Sequence, residues 1–301
     1  MSGIRSICLI GLGEVGSRLA DDLVERNVSL VVWDYQFGDA SSVPSRNAVS
    51  RKQLRKAASA KTAAAGYELV ISAVTAAQNL DAARSVLSGV ERDAWFLDLN
   101  SVSPATRQSV ADIVQHAGGR YVEAAIMSPI HSEGIASPML AGGPYARAFV
   151  PIAQGLGFSQ MKFCSDRIGL ASATKMCRSV VVKGMESLLV ESLLAARYHG
   201  VDEAVFASLG NLFPHPEWAQ HARYMISRSL THGVRRAEEM REVARTVAEA
   251  GIDGWMSEAC ARSQEQAAQL ARAADQQELG PMLDTMLEMV RGNAALEERA
   301  G

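Results

Sequence analysis

This sequence has little suited to crossing a membrane, holding a metal ion or gripping a polyanion. The 301-residue chain carries four cysteines. Cys8, Cys164, Cys177 and Cys260 are widely separated, and none forms a C-x-x-C pair, which argues against a zinc site and predicts reduced thiols acting as small hydrophobes. No run approaches about 18 uninterrupted apolar residues, so no spanning helix is expected. The first ten residues hold one arginine and a short apolar run that leads directly into a glycine turn, with no small-residue cleavage site, so a cytoplasmic location is expected. An excess of one charge is missing too: 30 Lys plus Arg stand against 33 Asp plus Glu, a net charge of -3. Without a broad basic field, nucleic acid is not an expected partner. No nucleophile elbow, carboxylate pair or His/Cys cluster is visible, which leaves covalent or metal-dependent hydrolysis without support.

What remains is an ordinary globular composition, 48% hydrophobic and 21% charged, with length enough for two domains. Up to about residue 165, short apolar runs alternate with helical patterns. Residues 6–10, 29–33, 69–74, 94–99, 121–127, 139–141 and 160–164 read as strands. Residues 14–26 and 104–115 read as helices, the second with Ser103 as N-cap and Pro104 in its first turn. Gly38, Pro44 and several serines mark 35–48 as a loop. This alternation predicts right-handed βαβ units and a largely parallel sheet. Beyond residue 166 the pattern is helical throughout. It starts with one long helix over 171–198, and breaks are expected at Gly210, Pro214/Pro216, Gly251/Gly254 and Gly280/Pro281. The expected architecture is α/β: a Rossmann domain over 1–166, then an all-α domain over 167–301, joined by a long interdomain helix.

Gly11-Leu12-Gly13-Glu14-Val15-Gly16 is a G-x-G-x-x-G that follows an expected strand and opens an expected helix. The first glycine permits a tight turn, the second lets the backbone approach a pyrophosphate, and the third lets helix and strand pack closely. Asp34 ends the next strand at the spacing of the acid that accepts the adenosine ribose hydroxyls and repels a 2′-phosphate. NAD is therefore expected over NADP, with NADP kept open by Arg46, Arg51 and Lys52 further along.

On the long helix, Lys175, Arg178, Val182 and Glu186 fall within about 60° of one face. Adjacent cations favour loss of a proton from the lysine, and such a lysine is a general base for an alcohol. A solvated basic face accounts for the same spacing. Lys183 is a weaker candidate. Arg235, clustered with His232 and Arg236, either holds an anionic substrate end or pairs with Glu238 or Glu239 at helical spacing. His131, His215 and His221 have no ligand-like companions, and surface or capping roles are expected for them.

The glycine turn, the Asp98-Leu99-Asn100-Ser101-Val102-Ser103-Pro104 segment, the Gly169-to-Lys175 helix start and the 232–240 stretch, in this order, resemble the β-hydroxyacid dehydrogenase superfamily. The closer likeness is to its 6-phosphogluconate-dehydrogenase-like branch. The resemblance implies hydride transfer between a nicotinamide cofactor and a small anionic hydroxyacid of β-hydroxyacid or sugar-acid type. Lys175 would be the general acid/base at the substrate hydroxyl. Gly11, Leu12, Gly13, Glu14, Val15, Gly16, Asp34, Val74, Thr75 and Asn100 would line the cofactor, and Ser101, Met127, Ser128, Arg178 and Arg235 the substrate. It also implies a homodimer through the helical domain. The chain departs from the family where relatives carry two consecutive glycines in the substrate loop, because it reads Glu123-Ala124-Ala125-Ile126-Met127-Ser128-Pro129 there. Arg178 keeps an anionic substrate in view, through a bidentate pair with a carboxylate or phosphate. Two rival readings stand: an imine reductase of the same architecture, and a dinucleotide-binding sensor without chemistry.

Overall fold

The computed structural model describes residues 3–26, 28–212 and 217–300. Eight strands form one sheet: β1 (Ser6–Ile10), β2 (Ser29–Trp33), β3 (Arg55–Lys56), β4 (Leu69–Ser72), β5 (Trp95–Asp98), β6 (Arg120–Ile126), β7 (Met139–Gly142) and β8 (Met161–Ser165). Their spatial order is β3-β2-β1-β4-β5-β6-β7-β8. All neighbours are parallel except β6 and β7. Apolar runs such as Leu69-Val70-Ile71 are buried along their whole length, because helices cover both faces of a parallel sheet. One core centres on Leu9, Leu19, Ile71 and Leu97, the other on Ile10, Val70, Phe96 and Val110.

The helices of this unit are α1 (Glu14–Val24), α2 (Val43–Ser50), α3 (Ala60–Ala64), α4 (Asn79–Val86), α5 (Pro104–His116), α6 (Ile130–Glu133) and α7 (Ala146–Leu156). The expected loop over 35–48 is a 3-10 turn followed by α2. Its serine and proline are an N-cap and a first-turn residue: Ser42 accepts from the Ser45 amide, which is what capping uses them for. Ser103 caps α5 as expected. The α7 stretch, read as no element, carries Pro151 inside the helix.

The chain divides into two compact units, Met1–Met176 and Cys177–Gly301. The division falls within α8 (Leu170–His199), later than the expected residue 166. The first turns of α8 hydrogen-bond to the sheet unit through Gly169, Ala171, Ser172 and Lys175. The second unit continues with α9 (Asp202–Leu212), α10 (Trp218–Glu249), α11 (Trp255–Gln269) and α12 (Leu279–Ala300). Gly210 lies inside α9 and breaks nothing, while the break expected at Pro214/Pro216, with His215, lies outside the described residues. Leu189, Leu193, Ile226, Leu230, Leu283 and Met286 form this unit's core. A Cβ on Gly233 would stand 2.3 Å from the Gln264 carbonyl oxygen, so this glycine sets how closely α10 and α11 approach.

Burial separates the thiols: Cys177 is exposed and Cys8 fully buried, with desolvation pushing the Cys8 thiol up to about 12. Thiolate is the reactive form. Ellman's reagent at pH 8 is therefore expected to titrate Cys177 in the folded protein and Cys8 only after denaturation, and Cys177→Ser should abolish the fast phase.

Candidate active site

The carboxyl ends of β1, β4, β5 and β6 lie side by side, and the sheet order changes direction between β1 and β4, the usual place for a ligand crevice in such sheets. Four short segments follow these strand ends: the glycine turn, Val74-Thr75, Asn100-Ser101 and Met127-Ser128.

The glycines differ in what they are for. Gly11 sits at φ +90°, and a Cβ there would meet the Ala73 carbonyl oxygen at 2.4 Å. A Cβ on Gly16 would lie 1.8 Å from the Gly11 carbonyl oxygen. Both are needed for the turn to exist. A Cβ on Gly13 would meet nothing within 4 Å. Gly13 is the N-cap of α1 and supplies no side-chain acceptor to the first turn. Open space at the amino end of an eleven-residue helix fits the dinucleotide pyrophosphate. Leu12 and Val15 pack into the core. Glu14 turns its carboxylate to His131, 2.9 Å away, so its side chain faces that loop residue and its backbone belongs to the turn.

Asp34 lies buried at the end of β2 and accepts from the amides of Leu12 and Gln36, each at 2.9 Å. The carboxylate is thus held at the turn it would serve. Of the basic residues further along, Arg51 is committed to Asp21 through two bonds of 2.7 and 2.8 Å, and Arg46 donates to the Ser41 carbonyl. Thr75 is exposed, and the Val74 amide donates to Asn100 Oδ1 at 2.6 Å. Both amide hydrogens of Asn100 are used internally, on Ser72 Oγ and Asp98 Oδ1. Asn100 therefore ties the β4 and β5 ends together.

Beneath these segments lies a buried charge cluster. The fully buried Asp98 carboxylate accepts from Asn79 Nδ2, the Asn100 amide, Tyr121 Oη and Arg107 Nη1. Burial, then the Asp98 charge, raises the Tyr121 phenol well above its ordinary value, so it stays a donor. Arg107 is 1% exposed. It donates to the carbonyls of Asp98 and Asn100 and, through Nε, to Ser172 Oγ at 2.8 Å. Its neighbouring carboxylates hold the guanidinium charged against the cost of burial. Glu123, also fully buried, lies 3.7 Å from Arg107 Nε and accepts from the amides of Gly169 and Ala171 at 2.7 and 3.2 Å. It caps the amino end of α8, where a carboxylate is favoured.

This frame holds the central pair. Lys175 Nζ donates to Ser101 Oγ at 2.6 Å. Of the other expected substrate contacts, the Met127 amide donates to the Pro138 carbonyl, and Ser128 Oγ is buried without a hydrogen-bond partner. Arg178 is exposed on α8. Arg235 pairs with Glu239 at 2.6 Å, the helical pairing that the spacing allowed, and Glu239 also receives Lys183. Arg236 is buried against Glu186. Among the described residues no group of three His, Cys, Asp or Glu could hold a metal ion. Arg107, Glu123, Tyr121 and Ser172 were absent from the expected site. Glu123 carries a signal as an ionisable residue inside an apolar strand, and Arg107 carries one as an arginine on the face of α5 that holds Val110, Ala111 and Val114; Tyr121 and Ser172 carry none.

Two family descriptions match this chain: the NAD binding domain of 6-phosphogluconate dehydrogenase over residues 6–144 and a domain of unknown function (DUF1932) over 196–267. A conserved hypothetical protein from Sinorhizobium meliloti is 30% identical, with a TM-score of 0.73 over 96% of this chain and 97% of its own. Mitochondrial 3-hydroxyisobutyrate dehydrogenase from Drosophila melanogaster is 23% identical over 222 residues, 72% of this chain. The chain spans 66% of that enzyme's length, just under two thirds. The structure of 3-hydroxyisobutyrate dehydrogenase from Mycobacterium tuberculosis with L-serine shares the fold at 15% identity, with a TM-score of 0.70 over 94% of this chain and 99% of its own.

The glycines can be separated by experiment. Gly13→Ala is expected to leave the melting temperature unchanged while weakening NAD binding by about tenfold or more, some 1.4 kcal/mol. Gly16→Ala, whose methyl group collides with backbone, is expected to lower the melting temperature itself. Differential scanning and titration calorimetry on the two variants read these outcomes.

Proposed function

Because the chain belongs to the β-hydroxyacid dehydrogenase superfamily, we propose that it is an oxidoreductase that interconverts a small anionic hydroxyacid and its carbonyl form, with Lys175 as general acid/base. The observation that carries this reading is the Lys175–Ser101 hydrogen bond of 2.6 Å, formed just beyond the carboxyl end of β5, with β4 between it and the strand that leads into the glycine turn.

The first unit is an NAD(P)-binding domain. The amides around Gly13 would hold the pyrophosphate, Asp34 the adenosine ribose, and Val74, Thr75 and the segment anchored by Asn100 the remainder. A nicotinamide dinucleotide, when bound, supplies the two-electron acceptor or donor. The chain's own task is the proton. In its neutral form the Lys175 amine takes the proton of the substrate hydroxyl as the carbonyl forms, and in the reverse direction its ammonium returns it. Ser101 accepts from Lys175 and keeps its own hydroxyl hydrogen for the substrate oxygen, orienting it toward the amine. Arg178, which follows Lys175 by three residues, offers a planar donor pair for a carboxylate or phosphate. Ser128 Oγ, which has no hydrogen-bond partner within the protein, would serve the same substrate, whereas the Met127 amide is already spent on the Pro138 carbonyl. Arg235, paired with Glu239, contributes only if that pair opens.

NAD is the proposed coenzyme. Asp34 opposes a 2′-phosphate, and of the cations further along the chain Arg51 is bonded to Asp21 and Arg46 to the Ser41 carbonyl. A homodimer through the helical unit completes the reading, supported by exposed Val234, Trp255 and Met256; light scattering tests it.

In a hydroxyacid panel, kcat/KM with NAD is expected to exceed that with NADP, and the opposite order would refute the Asp34 argument. Lys175→Met should reduce turnover by at least about a hundredfold, the contribution typical of general acid–base catalysis, while NAD affinity stays the same. Retained turnover in that variant would overturn the assignment, and reduction of a cyclic imine with NADPH would favour the imine-reductase alternative.

A further inference from the structure

We infer that Arg107 is the positioning residue of the Lys175–Ser101 pair: one buried guanidinium fixes both partners by holding the backbone before Ser101 and the helix turn before Lys175. This inference rests on the assignment of Lys175 as the proton-transfer group.

On the Ser101 side, Arg107 donates through Nη1 to the Asp98 carbonyl at 2.8 Å and through Nη2 to the Asn100 carbonyl. Those carbonyls close the end of β5 immediately before Ser101. On the Lys175 side, Nε donates to Ser172 Oγ at 2.8 Å. Ser172 and Lys175 are three residues apart on α8, so their side chains leave neighbouring positions on one helical face. The start of α8 is fixed independently by Glu123, which accepts from Gly169 and Ala171 and lies within 4 Å of the same guanidinium. Both ends of the 2.6 Å contact are therefore referred to one rigid group with five donors in a fixed fork. A lysine at 107 has neither the reach nor the fork to replace it. Arg107 acts on the pair through these two supports, the carbonyls before Ser101 and the hydroxyl of Ser172.

The test removes the α8 support and leaves the charge cluster in place. In the full chain, trace acetylation read by mass spectrometry measures the reactivity of the Lys175 amine from pH 6 to 10, with exposed Lys162 as internal standard. Donation to Ser101 favours the charged amine. Losing that bond is expected to raise Lys175 reactivity at neutral pH by about threefold or more. Ser101→Ala gives the size of the direct effect. Ser172→Ala is expected to shift the profile in the same direction, and Ser172→Cys, which keeps volume and a weak acceptor, to fall between it and the unaltered chain. A Ser172→Ala profile that superimposes on the unaltered one, while Ser101→Ala moves it, overturns the inference. If Ser172→Ala does not fold, the Ser172→Cys profile decides: no displacement overturns the inference equally. The labelling needs no substrate, so it separates the two failures. A fully active Lys175→Met would sink the proton-transfer reading, whereas an unmoved labelling profile beside an inactive Lys175→Met would sink only the positioning role.

Discussion

A single positive charge with no access to water organises the first unit. Arg107 lies between two fully buried carboxylates, Asp98 and Glu123. Removing one partner of such an arrangement typically costs about 3–5 kcal/mol, because an uncompensated charge stays buried. The cluster is therefore kept whole or not at all. Many of its bonds go to backbone: the carbonyls of Asp98, Asn100 and Ala124, and the amides of Asn100, Gly169 and Ala171. It ties together three chain segments far apart in sequence, and the candidate chemistry sits on top of them.

The two sides of this arrangement impose different demands. Below it, the sheet needs apolar strands buried on both faces, and β4, β5 and β6 supply them. Above it, polar side chains must stand at the strand ends in fixed directions. Asp98 and Glu123 satisfy both demands: they belong to the strands by position and hold the segments of the candidate site by the bonds they make. The second unit uses buried ion pairs differently. Glu186 with Arg236, and Lys183 with Glu239, join α8 to α10, and Gln264 of α11 donates to the same Glu186.

Much of this was readable in advance. Strand positions, the capped start of α5, the glycine turn and the acid after β2 all follow from local rules of period and capping, and the structure has them. Residues 35–48 read as a loop in the sequence because serine and proline mark both turns and helix starts, and only the Ser42–Ser45 bond decides between them. The division at 176 rather than 166 reflects contacts made by Ser172 and Lys175, which no local pattern encodes. Spacing and resemblance single out Lys175 as a candidate, but its hydrogen-bond partner Ser101 is 74 positions away, beyond any periodicity. The role of Arg107 is hidden in the sequence because an arginine on an amphipathic helix normally marks the wet side. Arg235 shows the reverse case, where the plain helical pairing with Glu239 proved real.

The three glycines of the turn answer to different masters. Gly11 and Gly16 are required by the empty polypeptide, since any side chain there would overlap main-chain atoms. Gly13 faces free space, and nothing in the bare fold forbids a larger residue. In a lineage that abandoned dinucleotides while keeping this architecture, drift should erase the middle glycine first and spare the outer two. The identity of that one residue across descendants would then record whether the coenzyme is still in use.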